Sequence, residues 1–171
     1  MDEVFVRDFM TTEVVSVKAD TSVLDVVKII FVNGFNGVPV VDEEGRLAGI
    51  ITEWDFIAKG SPVFFSPLGR LLQELDIFRE DEGEIDKKIK EIVSSKTADL
   101  MNREPITLTS NNTVQDAADL FLRHHRVNPV PVVDKDRKLV GIISRYDLIK
   151  LYADPVFWKK LAEKNHETQV K

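Results

Sequence analysis

Apolar and polar positions along the chain follow one pattern that occurs twice. Val23, Val26, Val27 and Ile30 fall at i, i+3, i+4, i+7, and so do Val114, Ala117, Ala118 and Phe121. That spacing predicts one buried face of an amphipathic helix in each half. Each helix is preceded by a short run of strand character, Val14-Val15-Ser16-Val17 or Ile106-Thr107-Leu108. Asp20 and Asn112 are the expected N-caps, with Asn112 and Gln115 at capping-box spacing, and Asn33-Gly34 closes the first helix. Strands are predicted over 38–41 and 130–133, each with a proline near its start. The turns Glu43-Glu44-Gly45 and Lys135-Asp136-Arg137 lead to strands over 47–51 and 139–143. A second helix begins at Thr52 or Ser144. The expected order is β-α-β-β-α, twice, an α/β (α+β) fold.

The two copies align by residue identity. Pro39-Val40-Val41-Asp42 returns as Pro131-Val132-Val133-Asp134, and Gly49-Ile50-Ile51 as Gly141-Ile142-Ile143, both at an offset of 92. Upstream the offset is 91, pairing Asp8, Met10, Glu13, Val23 and Asp25 with Asp99, Met101, Glu104, Val114 and Asp116. One inserted residue before the second proline accounts for the step. The chain therefore divides into a first repeat (6–57), an insertion (58–96), a second repeat (97–149) and a helical tail (150–171). In the insertion, Ser66-Pro67 has N-cap and N1 character, Leu68, Leu71, Leu72 and Leu75 make one stripe, and Ile85, Ile89, Ile92 and Val93 make another. A helical insertion is expected, either packing on the core or contributing a dimer contact or a lid.

Composition narrows the chemistry. The 171 residues carry 23 Lys+Arg, 29 Asp+Glu and no cysteine. That excludes disulfide scaffolds, thiolate nucleophiles and Cys-ligated metals, and no metal site is expected. A net charge of −6 and scattered aromatics argue against nucleic-acid binding. No apolar run is long enough to span a membrane, and the acidic Met1-Asp2-Glu3 start is unlike a secretory signal; a soluble, cytoplasmic chain is expected. With no HExxH, no Ser/His/Asp signature and no phosphate loop ending in Lys-Ser/Thr, catalysis is not expected.

The informative motif is the strand-to-helix junction, Gly49-Ile50-Ile51-Thr52-Glu53-Trp54-Asp55 and Gly141-Ile142-Ile143-Ser144-Arg145-Tyr146-Asp147. Thr/Ser followed three residues later by Asp has the spacing of a capping box, although Glu or Gln reaches back better. It also has the makings of a ligand site. A helix N-terminus offers free N–H groups to phosphate, and a carboxylate one turn in can accept both hydroxyls of a ribose.

The duplicated unit, the PVVD segments and the paired G-I-I-[ST]-x-x-D together resemble a tandem pair of cystathionine-β-synthase (CBS) domains, a Bateman module. The resemblance covers about 6–57 and 97–149. It implies two pseudo-symmetric repeats packed sheet to sheet, acting as a non-catalytic regulatory module. The implied ligand is adenosine-containing, bound in clefts between the repeats: AMP, ADP or ATP first, S-adenosylmethionine or NAD as alternatives. Asp55 and Asp147 would then hold ribose hydroxyls, and Thr52 and Ser144 would face phosphate or ribose. Val14, Val15 and Ile106 would contact adenine, while Asn36, Val38, Pro39, Asn128, Val130 and Pro131 would line the clefts. The adenine nucleotide is a regulatory ligand and no resident cofactor is required. Expected partners are a second copy of the chain, forming a homodimer, and an effector protein that receives the signal. A scaffold role in interaction or dimerisation, without nucleotide, stays open; the insertion and the aromatic tail around Phe157 and Trp158 motivate it.

Charge distinguishes the copies. Residues 1–57 carry a net −7, 58–96 −1, 97–149 0 and 150–171 +2. Arg145 stands where the first repeat has Glu53, as a phosphate partner or as a solvated surface arginine. Arg123, His124, His125 and Arg126 follow the second repeat's first helix; the histidine pair suits a helix end better than a metal. Phosphate is accordingly expected to be better accommodated near Ser144 and Arg145 than near Thr52 and Glu53.

Overall fold

The computed structural model describes residues 4–58 and 95–155. Both stripes of the insertion and the aromatic tail at 156–158 lie outside the described residues. The element order is a 3₁₀ turn (Val6–Asp8), α1 (Val23–Asn33), β1 (Gly37–Val41), β2 (Leu47–Thr52), α2 (Glu53–Ala58), α3 (Thr97–Leu100), α4 (Val114–Arg123), β3 (Val130–Val133), β4 (Leu139–Ile143) and α5 (Arg145–Ala153). β1 pairs with β2 in antiparallel register, Val38 opposite Ile51 and Pro39 opposite Ile50. β3 and β4 form the second two-stranded sheet.

The leading β-branched runs differ from expectation. Each makes a single parallel bridge, Val17 to Val40 and Leu108 to Val132. The reason lies in the neighbouring strand. Val17 N donates to Pro39 O (3.0 Å) and Val41 N to Val17 O (2.9 Å); Leu108 repeats this with Pro131 O (3.1 Å) and Val133 N (2.9 Å). The next rung upstream would need an N–H on Pro39 or Pro131, and proline has none. The ladder stops after one residue, so Val15 and Ile106 remain exposed.

Helix starts also shift. Ser22, not Asp20, caps α1: its Oγ accepts from Asp25 N at 3.1 Å. Thr113, not Asn112, caps α4, with Asp116 Oδ2 accepting in return from Thr113 N at 2.8 Å. Asn112 instead closes the preceding turn, its Oδ1 accepting from Thr109 N at 2.8 Å. Gly34 ends α1 in the left-handed region, φ 65°, as a glycine or asparagine there allows.

The described residues form two compact units, and each exchanges its leader. One holds 15–58, 95–105 and 136–139; the other holds 4–14, 106–135 and 140–155. In the first unit the core gathers Val17, Val23, Val26, Val27, Ile30, Val38, Val40, Ile51 and Phe56, together with Met101 from the second repeat's leader. In the other unit it gathers Leu108, Ala117, Phe121, Val130, Val132, Ile143 and Leu148, with Val6 buried among them and Met10 packed against them.

Backbone bonds fix these leaders. Ile50 and Asn102 exchange N–H···O bonds of 2.9 and 2.8 Å in the first unit, and Thr11 and Ile142 exchange bonds of 3.0 and 2.9 Å in the other. Such close approach explains the glycine before each Ile-Ile pair. A Cβ on Gly49 would stand 2.6 Å from Asn102 O and 2.9 Å from Met101 Sδ; on Gly141 it would stand 2.5 Å from Met10 Sδ and 3.2 Å from Thr11 O. The paired methionines and paired glycines are two sides of one contact.

Two outcomes follow. Gly49→Ala should destabilise the chain by about 1–3 kcal/mol, and Gly141→Ala by less, because a thioether yields more easily than a backbone carbonyl; urea unfolding of both variants measures the difference. The second concerns acid. The hydrogen bond from Ser22 to Asp25 lowers that carboxyl below the usual aspartate range, and the Thr113 backbone N–H does the same for Asp116. Their stabilisation is complete above the unfolded-state value and is lost as pH falls through the folded-state value. Melting temperature should therefore fall between pH 5 and pH 2, by a smaller margin in Asp116→Asn than in the wild type.

Candidate functional site

Each unit contains one strand-to-helix corner of the same construction. In the first, β2 ends at Thr52 and α2 begins at Glu53. Asp55 Oδ2 accepts from Thr52 N (2.8 Å) and from Thr52 Oγ1 (2.7 Å). In the other unit, Asp147 Oδ2 accepts from Ser144 N and Ser144 Oγ, both at 2.7 Å. The Asp of each copy does reach back to the cap residue. Here the carboxylate meets the backbone N–H and the hydroxyl of one residue on a single oxygen, and the shorter side chain suffices.

The first helical N–H is also taken, differently in each copy. Glu53 N donates to the backbone carbonyl of Asn36 (2.9 Å), while Asn36 Nδ2 donates to Glu53 Oε2 (3.2 Å). Arg145 N donates to the side chain of Asn128 through Oδ1 (3.0 Å). The two asparagines that precede the prolines therefore belong to the corners, as positions next to the junction motif. Behind them Val38, Pro39, Val130 and Pro131 are fully buried and form the floor on which the corners rest. Val15 at 43% and Ile106 at 36% exposure lie beside the same strands. The half-buried Val14 is grouped with the unit of Ser144 and Asp147, and Val15 with that of Thr52 and Asp55.

Arg145 is half-buried, and its side chain is engaged within its own unit. Its guanidinium donates to His125 O (2.6 Å) and His124 O (3.3 Å), with Cζ 5.3 Å from the centre of the Phe121 ring. These carbonyls follow the last turn of α4, where a cation offsets the negative end of the helix dipole. Arg145 thus closes the C-terminal end of α4 through the backbone of the two histidines.

The second oxygen of each carboxylate separates the two corners. Lys150 Nζ donates to Asp147 Oδ1 at 2.9 Å; the Asp147 side chain is 11% exposed and that of Lys150 56%. Among the described residues no side chain meets Asp55 Oδ1, and Ala58 holds the position three residues on. Sequence reasoning passed over Lys150, although its i, i+3 spacing from Asp147 was a usable signal. It also passed over Met10 and Met101, which align between the copies and whose contact with the glycines holds β2 and β4 beneath the corners.

Among the described residues no helix is long and apolar enough to cross a membrane. Comparison with known proteins agrees with the duplicated architecture. The protein MJ1426 of Methanocaldococcus jannaschii is 30% identical over 152 residues, covering 85% of this chain and 89% of its own. The chloroplastic CBS domain-containing protein CBSX2 of Arabidopsis thaliana is 29% identical over 85% of this chain, which spans 62% of that protein's length. A crystal structure of CBSX2 in complex with AMP superposes with a TM-score of 0.65 at 28% identity, over 88% of this chain and 96% of that one. A structure of the CBS domain pair of MJ0100, with 5′-methylthioadenosine and S-adenosyl-L-methionine, gives a TM-score of 0.60 at 26% identity, over 87% and 99% of the two chains. The family model of the CBS domain matches twice, over residues 6–61 and 98–154. The chain belongs to the CBS domain family, as a tandem pair.

Proposed function

We propose that the chain is a non-catalytic regulatory module that binds an adenosine-containing ligand at its strand-to-helix corners, with AMP, ADP or ATP ahead of S-adenosylmethionine and NAD. The observation that carries this reading is the pair of Thr/Ser–Asp corners. In each, one carboxylate oxygen holds the turn while the other retains acceptor capacity. A ribose hydroxyl can bind that second oxygen without dismantling the corner. The AMP complex of CBSX2 and the nucleoside ligands of the MJ0100 pair support the ligand class.

In this reading Asp55 and Asp147 receive ribose, and Thr52 and Ser144 stand nearest to it. Val14, Val15 and Ile106 offer apolar and backbone contacts to adenine, because the prolines end the ladder beside them. Asn36, Val38, Pro39, Asn128, Val130 and Pro131 support the walls. Arg145 meets phosphate only by giving up a carbonyl of His124 or His125, so a phosphate preference for the second corner costs one hydrogen bond. The ligand is a signal, a second copy of the chain completes a homodimer, and an effector protein receives the signal.

The opposing reading is a scaffold in which both aspartates act as caps alone, and the completed corners favour it as far as they go. Thermal unfolding with added nucleotide separates the two. AMP at about 100 times its dissociation constant should stabilise the chain by roughly 2.7 kcal/mol. Asp147→Ala should lower the starting stability, through loss of the cap, and reduce the ligand-induced shift, and Asp55→Ala/Asp147→Ala should remove most of it. If AMP, ADP, ATP, S-adenosylmethionine and NAD at millimolar concentration all leave the melting temperature unmoved, the scaffold reading stands instead.

A further inference from the structure

We infer that Lys150 is a specificity residue of the second corner, contesting the carboxylate oxygen that a ligand hydroxyl takes. The inference rests on the proposed function and concerns one of its two sites. Asp147 Oδ2 already accepts two hydrogen bonds from Ser144 at 2.7 Å, which leaves Oδ1 as the oxygen with room. Lys150 Nζ sits on Oδ1 at 2.9 Å and is also 4.9 Å from the centre of the Tyr146 ring. Two attractions therefore hold the ammonium there, a charge-assisted hydrogen bond and a cation–π contact.

The first repeat has the same corner without this cation, since Ala58 occupies the position equivalent to Lys150. A neutral hydroxyl arriving at Asp55 meets an open oxygen among the described residues. One arriving at Asp147 must share or displace an ammonium. The more basic repeat thus has the more guarded carboxylate, which runs against the preference that net charge alone suggests. The lysine side chain is 56% exposed, so it can swing away, and the barrier it imposes is a modest competition rather than a block.

Adenosine is the suitable probe, because it carries the diol and no phosphate to attract the lysine. Isothermal titration of the full chain should show about three- to fivefold tighter adenosine binding in Lys150→Met, which keeps the apolar stem and removes the charge. In the double variant Asp147→Ala/Lys150→Met the gain relative to Asp147→Ala should disappear, since the contested oxygen is gone. Unchanged or weaker adenosine binding in Lys150→Met overturns the inference, as does a gain that persists without Asp147. If adenosine, AMP, ADP, ATP, S-adenosylmethionine and NAD all fail to bind both the wild type and Lys150→Met, the proposed function falls and this inference with it. Binding that the substitution leaves unmoved removes the inference alone.

Discussion

A single carboxylate oxygen per repeat, accepting from both the backbone and the hydroxyl of the residue three positions earlier, turns each buried strand into a helix. The corner depends on it because Thr52 and Ser144 end their strands with N–H groups that no sheet partner takes. Asp55 and Asp147 supply the acceptor, and the bonds of 2.7–2.8 Å set the direction in which each helix leaves. The same geometry keeps the second oxygen out of the cap. A ligand hydroxyl at that second oxygen would therefore share the side chain with the cap without competing for one atom, so the proposed ligand role and the observed cap are compatible.

Beneath the corners lies an exchange of leaders. The opening residues of each repeat pack into the unit built from the rest of the other repeat, where Met101 faces Gly49 and Met10 faces Gly141. Backbone bonds from Ile50 to Asn102 and from Ile142 to Thr11 extend the hairpins by one further rung. Removing a side chain at each glycine permits this approach, and the buried Val6 and Met101 anchor the leaders in their cores. On the opposite edge, Pro39 and Pro131 end the ladder after one bridge. A close contact on one side and an early stop on the other give each hairpin two different edges.

Much of this was legible in the residues. The helical stripes, the strands over 38–41 and 130–133, the hairpins and the junction motif all emerged from spacing and from the 92-residue offset. What remained hidden has physical causes. Thr21-Ser22 and Asn111-Asn112-Thr113 crowd several capping residues together, so the choice of Ser22 and Thr113 depends on where the helix axis begins. Alignment of the repeats identifies equivalent residues but not packing partners, which is why the leader exchange did not appear. The residues alone left Arg145 open between a phosphate partner and a surface arginine, because its bond to the carbonyl of His125 spans 20 positions in sequence. Lys150 went unremarked because a single i, i+3 pair is ordinary in a helix until its partner is seen to hold the corner as well.

The central claim is that ligand chemistry and helix capping meet at the same two corners. Backbone amide NMR during an AMP titration tests this most directly, because the N–H groups of Thr52 and Ser144 point at the carboxylates in question. The account predicts saturable shifts concentrated at residues 52–55 and 144–147, with smaller ones at Val15 and Ile106. Saturable shifts confined to other surfaces, with both corners unmoved, would contradict it.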